Sequence, residues 1–325
     1  MAAGPAAAQT DPHQSTTPDY ADLPMIVAEE LSLFAKNAVE GRLRSIGSVA
    51  QDLMALRNSE IDFTTLGLAA FAEDLARDPA PGEPNDPVIL ASLGQSTDYE
   101  HVVAYGGDAV TDPSWLRGHR VGVPNAPDPR LLWATFSSYY GLAPQDVEVV
   151  DIDAEEAGDR LAGGDVQAVV TWQPFTARLK RRFGEKAHIF SVNHLYTSRW
   201  VLVTRRELVE ASAETCSRVL AALGEAIEQI EADPALAGAI FADYAGLDTA
   251  DTAALEGAIS FDLSVDWSLI AELQHRLAWL AHEHGKPVEA NGRLLDIIRI
   301  DPLATVTPSA ARLPGALGAR HRGAP

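Results

Sequence analysis

The stretch Leu161-Ala-Gly-Gly-Asp-Val-Gln-Ala-Val-Val-Thr-Trp-Gln-Pro-Phe175 decides the fold. Residues 166–172 form a short apolar run rich in β-branched side chains, which predicts a buried strand. Trp172 and Gln173 stand where this strand ends. Since ligands of open α/β sheets bind beyond the carboxyl ends of strands, both are candidate binding residues. The indole can stack on a ligand and the amide can both donate and accept hydrogen bonds, although Trp172 also fits a core aromatic.

Outward from this stretch, apolar β-rich runs alternate with helical patterns, which is typical of an α/β fold with crossover helices. The predicted strands are residues 61–65, 88–93, 120–123, 147–151, 166–172 and 200–204. Residues 1–20 and 310–325 lack periodicity, and we expect them to be loose tails.

The last third of the chain has the periodicity of helices. Six apolar residues recur at helical spacing and predict one buried stripe: Cys216, Val219, Leu220, Leu223, Ile227 and Ile230. A second helix is predicted over residues 267–284, with Asp266 as its cap.

Composition narrows the function classes. A chain of 325 residues suggests two domains, and its apolar runs are too short for a membrane helix. The formal charge of −21 disfavours nucleic acid as a partner. The first eight residues have neither the basic nor the apolar region of a secretory signal, so we expect a removed signal, a misplaced start or a cytosolic protein.

Signals for catalysis and for metals are weak. The only cysteine, Cys216, excludes an internal disulfide and a cysteine-based cluster, and its place on a packing face indicates an inert thiol. The acidic run at residues 151–156 fits a solvated helix start better than a magnesium site. The histidines at 275, 282 and 284 lack zinc spacing, and Lys180 to Arg182 fit a solvated face. No nucleotide or hydrolase motif occurs, so we expect no catalytic residue, metal or cofactor.

Several stretches together resemble a known family. They are residues 27–35, 59–67, 115–124, 141–150, 161–175, 232–234 and 300–303, and they occur in the family's order. The chain resembles the nitrate/sulfonate/taurine group of substrate-binding proteins of ABC transporters, the SsuA/THI5-like and NMT1-like proteins.

The resemblance implies a fold. It is a periplasmic-binding-protein-like type II fold, with two α/β lobes, two crossing strands and a ligand cleft between the lobes. We expect lobe 1 to contain residues 21–97 and 199–309, and lobe 2 to contain residues 98–198. The family's apolar first strand has no counterpart in the polar residues 9–18, so that strand is expected to be missing or replaced.

Strand-end loops supply the other candidate ligand-binding residues. In lobe 1 they are Gly47 and Ser48, which fit a plain helix cap equally well, and Gly67 and Leu68 at the end of a strand. In lobe 2 they are Asn125, Ala126 and Asp128, with Tyr196 reaching in from the hinge.

Asp128 sets this chain apart from its relatives. The family often has small hydroxyl residues in this loop, which receive an anionic head group. Asp128 before Pro129 predicts a capping carboxylate at a helix start, where it would repel a sulfonate or nitrate. This favours a neutral, zwitterionic or cationic organic solute.

The resemblance also implies a function. The protein is expected to be the solute-binding component of an ABC importer, which captures a small sulfonate-, taurine-, nitrate- or pyrimidine-like molecule by hinge closure. Its partner would be a membrane permease, its state monomeric and its location periplasmic or at the cell surface. The alternative is an enzyme on the same fold, desulfinase-like or thiamine-pyrimidine-synthase-like. Those need a nucleophilic cysteine in the first lobe or a cysteine-rich iron motif, and neither is seen here.

Overall fold

The computed structural model describes residues 12–14, 19–45, 48–77, 82–285 and 294–313. The chain divides into two compact units. Unit 1 draws on Met1–Gly94, Arg199–Gly246 and Phe261–Pro325, and unit 2 on Gln95–Ser198 and Leu247–Ser260.

The strands and helices are numbered in chain order. The strands are β1 Pro12–Gln14, β2 Arg44–Ser45, β3 Phe63–Gly67, β4 Pro87–Ser96, β5 Glu100–Tyr105, β6 Arg120–Val123, β7 Glu148–Asp151, β8 Ala168–Trp172, β9 Ala187–Phe190, β10 Ser198–Arg205 and β11 Ser260–Ser264. The helices are α1 Leu23–Glu30, α2 Leu33–Lys36, α3 Val49–Arg57, α4 Leu68–Arg77, α5 Pro127–Tyr139, α6 Ala157–Gly163, α7 Phe175–Phe183, α8 Arg206–Ala211, α9 Ala213–Ala232, α10 Pro234–Ala245, α11 Thr249–Leu255, α12 Trp267–His284 and α13 Asp301–Val306.

Unit 1 is built on a six-stranded sheet of order β11-β4-β10-β3-β1-β2. Strands β1, β2 and β3 run parallel, and β10 runs antiparallel to β3. The predicted stripe on α9 is confirmed, because all six of its side chains are buried. The cap of α12 is confirmed as well, since the Asp266 carboxylate accepts hydrogen bonds from the N–H groups of Ser268 and Leu269.

Of the two alternatives expected for the first strand, its absence is wrong, whereas replacement by a polar strand agrees with the structure. Residues Pro12–Gln14 form β1, which lies between β2 and β3 in the sheet, with His13 in register with Arg44 and Thr64. A parallel strand is held by backbone hydrogen bonds, so a polar stretch can form it. Pro12 is tolerated because it is the first residue of the strand.

The predicted tails are shorter than expected at both ends. Asp19 caps a turn over Tyr20–Asp22, and the Tyr20 ring is buried edge-on against Phe241, with ring centroids 5.1 Å apart. Near the other end, Ala311 forms a bridge with Val265. Packing of one aromatic side chain and pairing of a short backbone segment therefore order residues that composition alone marks as loose. Residues 314–325 lie outside the described residues.

Unit 2 is built on a five-stranded sheet of order β7-β6-β8-β5-β9. Strands β7, β6 and β8 are parallel, and β5 is antiparallel to both β8 and β9. The strands β7, β6, β8 and β9 therefore all end at one edge, where β5 begins. We refer to this as the carboxyl edge of unit 2.

Residues 247–260 depart from the predicted lobes, because they belong to unit 2 and not to the first lobe. Within this segment α11 is fixed to α7 by Asp251. Its carboxylate, 3 % exposed, accepts a hydrogen bond of 2.6 Å from Arg178 and pairs with Arg181. Arg181 is exposed, as predicted for Lys180 to Arg182, and from that exposed position it also pairs with Asp251. A pairing so distant in sequence has no local pattern.

Candidate functional site

The carboxyl edge of unit 2 brings most of the predicted binding residues together. Asn125, Ala126 and Asp128 follow β6, and Trp172 and Gln173 stand at the end of the neighbouring strand β8. Tyr196 follows β9, whose last residue, Phe190, is in register with Val102 near the start of β5. The parallel strands and the antiparallel β5 thus place the loops after β6, β8 and β9 at one edge. Strand ends in the sequence predicted the first two of these loops, and Tyr196 was expected to reach in from the hinge.

Asp128 is bound differently from the prediction. Helix α5 begins at Pro127 with Ala126 as its cap residue, so Asp128 is the second helical residue and does not cap the helix. Prolines at positions 127 and 129 both fit the first turn, because N–H groups there have no partner within the helix. The carboxylate Oδ1 accepts a hydrogen bond of 2.7 Å from the hydroxyl of Tyr196.

Tyr196 is a support for Asp128. Its ring is 8 % exposed, and its backbone N–H donates to the carbonyl of Val192 over 3.1 Å. The Tyr196 hydroxyl, from the segment that follows β9, thus contacts the first turn of α5. The carboxylate lies in the first turn of α5, at the positive end of the helix dipole.

Trp172 is half-buried at the end of β8 and lies directly opposite Glu100 of β5. Residues directly opposite in an antiparallel pair lie on the same face of the sheet, so the indole and the Glu100 carboxyl share that face. Glu100 is 6 % exposed. The Phe175 ring meets the indole edge-on at 5.7 Å between centroids. Sequence reasoning missed Glu100, because β5 was not predicted.

The remaining predicted residues of this edge differ in their contacts. The side-chain carbonyl of Gln173 accepts a hydrogen bond of 3.3 Å from the backbone N–H of Ala177. The backbone N–H of Gln173 donates a hydrogen bond of 3.0 Å to the backbone carbonyl of Tyr99. Gln173 thus holds the start of α7 as well as lying at the edge. Asn125 is exposed, and Ala126 is half-buried as the cap residue of α5.

The predicted residues of unit 1 lie at the ends of its parallel strands. Gly67 ends β3 in register with Trp200 of β10, and the side chain of Leu68 is fully buried at the start of α4. Ser48 is exposed and caps α3 reciprocally with Gln51, as the plain-cap alternative predicted. Gly47 lies outside the described residues.

One polar side chain near this edge of unit 1 was not predicted. The hydroxyl of Thr65, in β3 two residues before Gly67, is buried and has no hydrogen-bond partner among the described residues. Leaving a buried hydroxyl without a partner costs about 1–3 kcal/mol. A hydroxyl of this kind can donate or accept a hydrogen bond to a polar solute. The sequence gave no sign of it, because a threonine inside a predicted strand is an ordinary strand residue.

A row of three side chains fastens α7 to β5. His101 Nε2 lies 3.1 Å from Asp98 Oδ1, and its Nδ1 lies 3.2 Å from the hydroxyl of Thr176. Burial lowers the pKa of His101 below its ordinary value, although Asp98 acts in the opposite direction. The order carboxylate, imidazole, hydroxyl resembles that of a hydrolase, but Thr176 is 1 % exposed and no substrate can reach its hydroxyl. The row positions the loop that carries Trp172 and Gln173.

Cys216 is the first residue of the α9 stripe and is fully buried. Burial raises the pKa of its thiol to about 12, so at neutral pH it is a protonated thiol rather than a nucleophile. Among the described residues no group of three or more His, Cys, Asp or Glu side chains is placed to hold a metal ion. Within the same residues no helix has both the length and the apolar character to cross a bilayer.

Known structures share this fold. The periplasmic aliphatic sulphonate binding protein SsuA from Escherichia coli superposes with a TM-score of 0.75 at 16% identity, covering 90% of this chain and 92% of that one. The desulfurization enzyme DSZB superposes with a TM-score of 0.68 at 16% identity, covering 93% and 99%. At such identities the likeness shows the fold alone: that of periplasmic binding proteins, which binding proteins and an enzyme share.

Sequence comparison identifies the family. A curated relative from Brucella abortus (strain 2308), named "Putative binding protein", is 23% identical over 229 residues, which are 69% of this chain and 68% of the relative. The family model described as NMT1/THI5 like matches residues 23–237. That match spans well over half of the molecule, and the chain therefore belongs to the NMT1/THI5-like family.

Proposed function

We propose that this protein is the solute-binding component of an ABC importer, and that it captures a small organic molecule by hinge closure. The observation that carries the proposal is the carboxyl edge of unit 2. There the indole and the amide of the loop after β8 and a carboxylate of the segment after β6 lie at the place where open α/β sheets bind ligands. Membership of the NMT1/THI5-like family and the named function of the Brucella relative support it.

A partner and a location follow from this function. A binding protein of this kind hands its solute to a membrane permease, acts as a monomer, and works in the periplasm or at the cell surface. The net charge of −21 suits a protein that stays soluble at high concentration.

An enzyme on the same fold is the alternative, and DSZB shows that the fold can carry catalysis. A desulfinase-like reaction needs an accessible nucleophilic cysteine. Cys216 is the only cysteine of the chain, and it is fully buried with a pKa raised to about 12. The shielded hydroxyl of Thr176 equally fails to support a hydrolase. Both observations favour binding over catalysis.

The test begins with native mass spectrometry of freshly purified protein, to find a small molecule that co-purifies, followed by calorimetric titration with that molecule. Trp172→Ala should weaken its binding about tenfold or more, because an aromatic contact at the centre of a site is worth on the order of 1–3 kcal/mol. Trp267→Ala is the matched control, since this indole is 56% exposed at the start of α12 in unit 1.

The outcomes separate the two functions. Binding that is stoichiometric, leaves the molecule chemically unchanged and depends on Trp172 supports the proposal. Turnover of the bound molecule into a product by the wild type would overturn it in favour of the enzyme.

A further inference from the structure

We propose that Arg178 is a positioning residue for Trp172, the aromatic side chain of the candidate site. Arg178 acts through the Phe175 ring, and the buried carboxylate of Asp251 holds the Arg178 guanidinium in place. The inference deepens the proposed function and rests on it only in assigning Trp172 to the solute. It makes α11, which lies far along the chain, part of the machinery that prepares the carboxyl edge of unit 2.

The Trp172 indole takes its direction from a neighbouring ring. Trp172 is the last residue of β8 and is half-buried, and a side chain in such a place has more than one rotamer open to it. The Phe175 ring meets the indole edge-on, with centroids 5.7 Å apart and ring planes at 88°. Aromatic pairs prefer this arrangement. Fixing one rotamer before a solute arrives lowers the entropy lost on binding.

Phe175 needs support in its turn, because it is the first residue of α7 and is itself half-buried. The guanidinium carbon of Arg178 lies over the Phe175 ring, 5.2 Å from the ring centroid. Residues three apart on a helix are neighbours, and a guanidinium is attracted to the face of an aromatic ring. This contact favours the ring position in which Phe175 meets the indole.

Asp251 keeps the exposed Arg178 side chain over the ring. Nε of Arg178 donates a hydrogen bond of 2.6 Å to Oδ2 of Asp251, and the Nη2 of Arg178 pairs with the same oxygen. The Asp251 side chain is only 3% exposed, and a buried carboxylate requires a cationic partner. A long and otherwise mobile arginine side chain is therefore fixed by a group on α11.

Arg181 shares the same carboxylate and lacks the ring contact. Its guanidinium pairs with Oδ1 of Asp251 and donates to the backbone carbonyl of Ala250 over 3.4 Å. Arg181 lies six residues after Phe175, beyond the positions three and four apart that are neighbours on a helix. Both arginine side chains are 43% exposed. Arg181 is therefore the matched control, which separates loss of an ion pair from loss of the ring contact.

The experiment observes the indole directly, by 19F NMR of protein labelled with 5-fluorotryptophan. The chain has six tryptophans, and Trp172→Phe identifies the signal of Trp172 by its loss. Arg178→Gln should shift or broaden that signal and leave the signals of the other tryptophans unchanged. Arg178→Lys keeps a cation and should shift it less. Arg181→Gln should leave the Trp172 signal as it is in wild type.

A double variant tests whether the effect passes through the ring. Phe175→Leu should also change the Trp172 signal, because the edge-on contact is lost. Adding Arg178→Gln to Phe175→Leu should then change the signal little further, since substitutions that break the same contact are not additive. A further shift as large as that of Arg178→Gln alone would overturn the role of the ring.

Calorimetric titration measures what this positioning contributes to binding. The probe is whichever of taurine, ethanesulfonate, choline and the co-purified molecule binds wild type most tightly. Arg178→Gln should weaken binding of the probe about two- to fivefold, which is the worth of one exposed cation–π contact. Arg181→Gln should bind the probe as wild type does.

Each result decides a separate claim. An unchanged Trp172 signal in Arg178→Gln, or an equal change in Arg181→Gln, overturns the positioning role and leaves the binding function standing. Affinity that is unchanged in Arg178→Gln overturns the role in binding even where the signal moves. If no probe binds wild type while the Trp172 signal depends on Arg178, the binding function falls and the support of the indole stands.

Discussion

Cys216 shows how burial decides the chemistry of a single residue. Its sulfur packs in the apolar stripe of α9, where the raised pKa keeps it protonated. We predict that Cys216→Ala lowers the free energy of unfolding by about 1–2 kcal/mol through lost packing, with ligand affinity unchanged. Urea unfolding and titration with the co-purified solute measure the two quantities. Loss of binding or of turnover in a fully folded Cys216→Ala protein would instead identify a functional thiol.

His101 makes stability depend on pH. Burial lowers its pKa below 6.5, so as the pH falls the unfolded chain binds a proton before the folded one does. The free energy of unfolding is therefore predicted to decrease from about pH 6.5 downward, towards the pKa of the folded state. His101→Gln should be less stable at neutral pH, by on the order of 1–3 kcal/mol, but should vary less with pH in that range.

The measurement is urea unfolding at a series of pH values for both proteins. His275→Gln serves as the control, because His275 is exposed on α12. Its pH profile should parallel that of wild type. A His101→Gln profile as steep as that of wild type would show that other groups cause the acid sensitivity.

At the scale of elements, α11 depends on one carboxylate. Burial by itself would raise the pKa of Asp251, and the hydrogen bonds from Arg178 and Arg181 offset this, so that its pKa lies below the ordinary value. We predict that Asp251→Asn lowers the free energy of unfolding by about 1–3 kcal/mol, because the charge-assisted hydrogen bonds from the two arginines are weakened. The loss stays in this range because both arginines are half-exposed and remain solvated when their partner loses its charge.

Hydrogen exchange locates this effect. Amides of α11 should exchange faster in Asp251→Asn, with little change in the sheet of unit 2. Glu256→Gln, an exposed change at the end of the same helix, should behave like wild type. Equal acceleration throughout unit 2 would show that Asp251 supports the whole unit rather than α11. Unchanged exchange would show that the ion pairs do not hold the helix.

At the scale of the whole molecule, the sequence predicted the elements whose stability is local. The apolar run of β8 and the stripe of α9 both indicate burial, and both elements are present. Strand β1 escaped prediction because its pairing is backbone hydrogen bonding between polar residues. Strand β5 begins with Glu100 and His101, whose burial depends on partners from distant segments.

The candidate site divides in the same way. Strand ends are readable from the sequence, so the residue pattern alone suffices to propose Asn125, Trp172 and Gln173 as neighbours. The contact between Asp128 and Tyr196 has no such pattern, since it joins residues 68 positions apart, and a capping role for Asp128 was the simplest local interpretation. The role of these residues in binding stays a prediction.

The order of strands in unit 1 has a consequence for how the protein is made. Strand β11 lies beside β4 in the sheet, although residues 97–259 separate the two strands along the chain. Ribosomes add roughly 5–20 residues per second, so β4 is synthesised several seconds or more before β11, its partner in the sheet. Arg178 and Arg181 are likewise synthesised before Asp251, with which both form ion pairs. Unit 2 therefore cannot be completed on the ribosome until residue 260 has emerged, and the sheet of unit 1 cannot be completed until β11 has followed.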